Sequence, residues 1–132
     1  AALDVMGLHM LVTDGDRLAY LRHALAALSP GAPMLFFREC YSRGIYDGPI
    51  PSLDAFIARF GGDYVTLEKR QAVRGTGTVE VEMTLLPART HTEAGYRQEM
   101  REAGFLVEAF REETDNNQCP YSASLWVRRP AD

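Results

Sequence analysis

The residues best suited to chemistry lie in two short segments, each directly after a run of apolar residues. His9 belongs to the first segment, and its imidazole could shape a binding pocket or take a proton from a substrate. Arg38, Glu39 and Tyr41 belong to the second, where the charged pair could bind a substrate carboxylate or amine. Each also has a structural interpretation: a hydrogen-bonded core histidine, a surface ion pair and a packed aromatic ring.

The length and composition indicate one domain. The chain has 132 residues, of which 46% are hydrophobic, and a formal net charge of −4. Nucleic-acid binding is not expected, because such proteins usually cluster Lys and Arg on one face. The sequence has neither a long apolar run nor a leader pattern, so we expect a cytoplasmic chain without membrane contact. Cys40 and Cys119 lack metal-site spacing and are expected to be buried thiols, and we predict no metal.

Two apolar runs around an amphipathic helix predict a parallel strand pair. The run from Leu3 to Met10 is typical of a strand buried on both faces. The segment Asp14 to Asp16 predicts the helix start, and the helix stops near Ser29 to Gly31. The second buried strand is predicted from Pro33 to Phe37, and the crossover makes the two strands parallel neighbours.

The middle of the chain, 41–89, is predicted to be a cap inserted between core segments 1–40 and 90–130. It begins with a short helix capped by Ser52. Two runs, Tyr64 to Val73 and Thr78 to Leu86, then flank a glycine-containing turn, and the clean alternation of the second run predicts a half-buried antiparallel hairpin.

The last third predicts a helix and two strands. Thr90 and Glu93 fit a capping box at the helix start, and Gly104 fits its end. Strands are predicted from Phe105 to Phe110 and from Tyr121 to Val127. The whole order is that of one α/β domain.

Four segments in succession resemble class I S-adenosylmethionine-dependent methyltransferases. In that family they are the fourth strand, a helix-ending turn, the fifth strand and a helix-to-strand junction. They are Leu3-Asp4-Val5-Met6, Leu28-Ser29-Pro30-Gly31, Met34-Leu35-Phe36-Phe37 and Glu102-Ala103-Gly104-Phe105. The resemblance implies a partial Rossmann-like sheet of parallel strands, with an antiparallel last strand between the fifth and sixth. The later segments are loosely similar to small-molecule methyltransferases of the glycine-sarcosine type.

The resemblance also implies a cofactor, a substrate class and site residues. The cofactor would be S-adenosylmethionine, with its methionine part beside the segment that leaves the fourth strand. That segment is Gly7, Leu8, His9 and Met10. His9, Arg38 and Tyr41 would then be the catalytic candidates facing a small-molecule acceptor.

One family feature has no counterpart here: the glycine-rich loop after the family's first strand. Gly75-Thr76-Gly77 lies in a predicted hairpin turn and does not precede a helix. The chain is therefore expected to act as the C-terminal part of a methyltransferase and not to be competent alone. The alternatives are a non-catalytic dimerisation or binding module and an enzyme assembled from two chains. We expect the Leu3 to Met10 strand to pair with a second copy or with a missing N-terminal half, because bare apolar edges are rare.

Overall fold

A computed structural model describes residues 1–44, 48–113 and 121–131. Six strands and three α-helices follow one another along these residues. They are β1 (Ala2–Val5), α1 (Asp14–Ala27), β2 (Pro33–Cys40), α2 (Leu53–Phe60), β3 (Glu68–Arg74), β4 (Gly77–Met83), α3 (Glu93–Ala103), β5 (Leu106–Glu113) and β6 (Ser122–Arg128). A single 3-10 turn, Leu8–Met10, follows β1.

Four of the strands form the main sheet, in the order β1-β2-β6-β5. β1 runs parallel to β2, and β6 runs antiparallel to both β2 and β5. This arrangement confirms the predicted partly parallel α/β sheet with an antiparallel last strand. The carboxyl ends of β1 and β2 consequently meet at one edge of the sheet, which is where ligands bind in open α/β folds.

α1 and α3 pack on one face of this sheet and share one hydrophobic core with it. Leu21 of α1 and Met100 of α3 are fully buried against Phe36 of β2 and Leu125 of β6. Side chains at alternate positions of a strand point to the opposite face. On that face Leu3, Leu35 and Trp126 lie side by side in the strand register, and each remains partly or largely exposed.

β1 is shorter and less buried than the sequence predicts. Met6 has a positive φ of 56°, so the chain leaves the strand there and enters the 3-10 turn. Leu3 is 62% exposed and Val5 is 54% exposed, whereas Asp4 is buried. The expectation of burial on both faces is wrong for this strand, because β1 stands at the sheet edge and pairs with β2 alone among the described strands.

Two helix starts differ from the sequence-based expectation by one or two residues. The side chain of Thr13, and not Asp14, caps α1 by accepting from the Asp16 amide. The side chain of Thr92, and not Thr90, caps α3, because His91 is still extended and bridges to the strand-like Tyr41. Ser52 caps α2 and left-handed Gly104 ends α3, as predicted.

β3 and β4 form the predicted antiparallel hairpin, and their pairing closes between Arg74 and Gly77. The expected half-burial is wrong, because only Ala72 and Val81 are partly shielded along the two strands. The hairpin is a separate two-stranded sheet whose base approaches the turn after β1.

The expectation of a free thiol at Cys40 is also wrong, because Cys40 is disulfide-bonded. Cys119 lies outside the described residues. Across the part of the chain that the structure describes, none of the helices has the length and apolar character needed to cross a bilayer.

Candidate functional site

Glu39 organises the turn that follows β1. Its carboxylate accepts hydrogen bonds from the backbone amides of Gly7, at 3.2 Å, and His9, at 2.8 Å. The Glu39 side chain has no exposed surface. A buried carboxyl group is tolerated where N–H groups form hydrogen bonds to its oxygens. Glu39 therefore joins the carboxyl end of β2 to the turn after β1.

The same carboxylate contacts the His9 ring, with 2.7 Å between Nδ1 and Oε2. The Cys40 amide also lies near Nδ1, at 3.4 Å, and would need Nδ1 to be an acceptor. The shorter contact decides the assignment, because an unprotonated Nδ1 would face a carboxylate oxygen lone pair to lone pair. His9 Nδ1 therefore carries the ring proton, and this N–H donates a hydrogen bond to the Glu39 carboxylate.

A backbone irregularity in β2 brings Glu39 to this position. The pairing of β2 with β6 shifts between Phe36 and Glu39, and the intervening Arg38 has a positive φ of 60°. A bulge of this kind turns the following side chains relative to the regular alternation. Glu39 consequently faces the turn after β1.

Asp4, in β1, places its buried carboxylate against the turn. Burial raises the pKa of Asp4, and the nearby charge of Glu39 raises it further. The Tyr20 hydroxyl donates to Asp4 at 3.1 Å, and burial followed by the Asp4 charge raises the pKa of Tyr20 to about 12. A Cβ at Gly7 would collide with the Asp4 carboxylate in its present position, so glycine leaves room for that carboxylate under the turn.

Arg17 supports the turn from the helix layer. Its guanidinium donates to the carbonyl oxygens of Leu8, at 2.9 Å, and Leu11, at 3.0 Å. It also forms two hydrogen bonds with Glu99 of α3, and it is fully buried. We did not predict this role from the sequence, although Arg17 stands one turn before Leu21 on the buried face of α1.

Arg89 supports the turn from the other side. Its amide donates to the His9 carbonyl at 2.8 Å, and its guanidinium donates to the Val12 carbonyl at 3.0 Å and the Asp14 carboxylate at 2.6 Å. Arg89 is 2% exposed. The turn is thus held by backbone and side-chain bonds from two separate buried arginines.

A cavity of about 350 Å³ opens beside the turn. His9 and Met10 contribute to it from the turn, together with Cys40 from the end of β2. The hairpin and the residues after it supply the remaining wall. The other lining residues are Met6, Arg70, Met83, Thr84, Leu85, Leu86 and Ala88.

The predicted site residues separate into two groups. His9 and Met10 line the cavity, Gly7 is bound by Glu39, and the Leu8 side chain is fully buried in the core. Arg38 and Tyr41 are absent from the cavity lining.

The Arg38 guanidinium lies over the Phe37 ring, 5.0 Å from its centroid. The Tyr41 ring packs edge-on against Phe110 of β5, with 5.2 Å between centroids. Among the residues that the structure describes, no group of three or more His, Cys, Asp or Glu side chains could hold a metal ion.

Comparison with solved structures identifies the fold. No profile of a protein family matches the sequence, and no curated protein matches it significantly. A SAM-dependent methyltransferase from Methanosarcina mazei superposes with a TM-score of 0.63 at 13% identity, over 98% of this chain and 58% of that one. A methyltransferase from Clostridium acetobutylicum gives 0.58 at 9% identity, with the same coverage.

A third neighbour is the SAM-bound amino pentose methyltransferase from Micromonospora echinaspora, which is involved in calicheamicin biosynthesis. It superposes with a TM-score of 0.53 at 17% identity, over 96% of this chain and 57% of that one. The chain therefore has a class I S-adenosylmethionine-dependent methyltransferase-like fold. It spans less than three fifths of the length of each of these neighbours.

Proposed function

We propose that this chain is the C-terminal part of an enzyme that transfers a methyl group from S-adenosylmethionine to a small-molecule acceptor. The observation that carries the proposal is the buried turn at the carboxyl end of β1, which occupies the ligand-binding edge of a methyltransferase-like sheet. Methyl transfer asks the protein mainly to align acceptor, methyl group and sulfur. A turn fixed by Glu39, Arg17 and Arg89 suits that task.

Each candidate residue has a proposed role. Gly7, His9 and Met10 lie along the methionine part of the cofactor, and Leu8 contributes through its backbone because its side chain is in the core. The acceptor occupies the cavity beside His9, which takes the acceptor's proton. Arg38 and Tyr41 contact the distal part of the substrate or cofactor from the end of β2.

A partner supplies the other wall of the cofactor site. Leu3 and Val5 leave apolar surface on β1, and the sheet face with Leu35 and Trp126 lacks a helix among the described elements. An N-terminal half of the enzyme, carrying the glycine-rich loop, would add a strand to β1 and cover this face. The completed enzyme is proposed to be cytoplasmic, with no nucleic-acid or membrane partner.

The second candidate function is a non-catalytic dimerisation or binding module. The exposed β1 edge favours it, since two copies could pair there without any cofactor. Two copies would still contain no glycine-rich loop, so this alternative predicts a dimer that does not bind S-adenosylmethionine.

A titration separates the two candidates. We expect the 132-residue chain alone to bind S-adenosylhomocysteine weakly in calorimetry, and the protein extended by the upstream residues of its gene to bind with micromolar affinity. The paired change Leu3→Lys with Val5→Lys should weaken that binding, whereas Val73→Lys on the exposed hairpin should not. A stable dimer of the chain, with no cofactor binding by the extended protein, would overturn the methyltransferase proposal.

A further inference from the structure

We infer that Glu39 is a positioning residue that holds His9 as a general base, with Nε2 toward a cavity suited to an uncharged, largely apolar acceptor carrying a hydroxyl group. The inference rests on the proposed methyl transfer and adds to it the residue that orients His9, the ring nitrogen that accepts the proton and a class of substrate.

The orientation of the ring follows from the contacts on its other side. Nδ1 faces the buried Glu39 carboxylate at 2.7 Å, and the His9 amide is held by the same oxygen at 2.8 Å. The opposite ring edge, which carries Nε2, is therefore the edge left for the cavity that His9 lines. Among the described residues, no hydrogen bond is made to Nε2, so its lone pair is available to a ligand.

The buried Glu39 carboxyl group lies directly against the His9 ring. Because Nδ1–H donates to it, Nε2 is the acceptor nitrogen in the proposed starting state. Uptake of the acceptor's proton at Nε2 gives an imidazolium beside a carboxylate. A carboxylate in this position orients the ring and stabilises the imidazolium that forms.

The proposed step is balanced in atoms and charge. The acceptor hydroxyl gives its proton to Nε2, and its oxygen lone pair forms the new bond to the methyl carbon. The bond between that carbon and sulfur breaks, and its electron pair stays on sulfur. The products are the methyl ether, neutral S-adenosylhomocysteine and the imidazolium, so the single positive charge passes from sulfur to His9.

The cavity lining indicates the class of acceptor. Met6, Met10, Met83 and the two leucines of its wall are apolar. Among its described lining residues Arg70 is the formally charged one, and its guanidinium is paired with Glu68 at 3.1 Å. A zwitterion such as an amino acid would bury two charges with no unpaired countercharge, whereas a phenol or alcohol would bury one hydroxyl beside Nε2.

Nitrogen-15 NMR of the histidine rings in this chain tests the positioning role without any methyl transfer. We expect His9 to show a protonated Nδ1 and an unprotonated Nε2 at pH 8, with a preference of about tenfold or more, because a hydrogen bond to a charged group is among the stronger ones. Glu39→Gln should reduce that preference, and Glu39→Asp should restore part of it. His23, which is exposed, gives the internal reference for an unconstrained ring.

A protonated Nε2 in the unmodified chain would overturn the inference, and this result does not depend on any variant folding. Retention of the same tautomer preference in a folded Glu39→Gln protein would also overturn it. Glu93→Gln, an exposed carboxylate change on α3, is the matched control and should leave the tautomer preference unchanged.

The acceptor class is tested with phenol and glycine as probes. Phenol should shift the His9 and Met83 resonances at millimolar concentration, and glycine should leave them unchanged. Shifts with glycine, or none with phenol, would overturn the substrate class. The tautomer result stands even if the extended protein fails to bind S-adenosylhomocysteine, so failure of the proposed function is distinguishable from failure of this inference.

Discussion

The guanidinium of Arg17 and the carboxylate of Glu99 form a two-bond ion pair that joins α1 to α3 beneath the turn carrying His9. The arginine is fully buried, and its remaining hydrogen-bonding capacity goes to two carbonyl oxygens of the turn. One side chain thus couples the helix layer to the candidate site. Burying such a group is tolerable because most of its donors are satisfied.

Arg17→Ala should lower the free energy of unfolding by about 3–5 kcal/mol, because it leaves Glu99 without its countercharge and removes a hydrogen-bond donor from each of the Leu8 and Leu11 carbonyl oxygens. Chemical denaturation measures the loss. Arg22→Ala, at an exposed position of the same helix, is the matched control and should change stability by no more than about 0.5 kcal/mol. Equal effects of the two changes would show that the buried pair does not hold the helices together.

Tyr96→Phe should cost about 1–2 kcal/mol of stability, since it removes a buried hydrogen bond and leaves the Cys40 carbonyl without that donor. The Tyr96 hydroxyl donates to this carbonyl at 2.7 Å, and the ring is fully buried. Tyr121→Phe serves as the comparison because Tyr121 is 43% exposed. A loss as large in Tyr121→Phe as in Tyr96→Phe would contradict the assignment.

The protein should lose stability below about pH 6.5 in part through His91. Burial lowers the pKa of His91 to about 3, and the charges of Arg17 and Arg89 contribute. The unfolded chain therefore binds a proton at this histidine near pH 6.5, whereas the folded chain binds it only near pH 3. The contribution of the neutral His91 to stability is fully present above pH 6.5 and is lost as the pH falls. The slope is at most about 1.4 kcal/mol per pH unit.

His91→Gln should flatten this part of the stability profile between about pH 6 and 4, whatever it does to stability at pH 8. Denaturation series at several pH values give the measurement. His23→Gln removes an exposed histidine and should leave the slope unchanged. If both variants keep the slope of the unmodified protein, His91 is not its source.

Gly104→Ala should destabilise the protein by about 1–2 kcal/mol, because Gly104 has a left-handed φ of 105° that L residues rarely adopt. An added Cβ would also press on the Leu25 side chain. Gly15→Ala is the opposite case: its Cβ would meet open space in the first turn of α1, and it should stabilise by roughly 0.4–1 kcal/mol. Thermal unfolding of the two variants checks both signs.

Local sequence signals predicted the elements that depend on neighbouring residues. The amphipathic pattern that begins at Asp14 to Asp16 predicted α1, Ser52 predicted the start of α2, and Gly104 predicted the end of α3. The choice of Thr92 over Thr90 was not predictable, because it depends on the bridge from His91 to Tyr41, some fifty residues away in the chain. A local pattern cannot register a tertiary constraint of that kind.

The candidate site was predicted in part. His9 was singled out from its residue type and its place after an apolar run, and it does line a cavity. Its partner Glu39 is 30 positions away, and the bulge at Arg38 that brings the two together leaves no mark in residue periodicity. Arg17 and Arg89 were missed for a related reason: a charged residue has too many possible partners along the chain for the sequence to identify the groups that it binds.

The position of β6 between β2 and β5 affects the rate at which the main sheet can form. β6 is one of the two inner strands of the main sheet and the last of the described strands, and its pairing with β2 joins residues about ninety positions apart. Long-range pairings of this kind form slowly, because a large loop must close before the contact stabilises it. The β2 edge of the β1-α1-β2 unit therefore remains unpaired until β5 and β6 have been synthesised and β6 has paired with it. During synthesis, this is the interval in which the chain is most prone to associate wrongly with other chains.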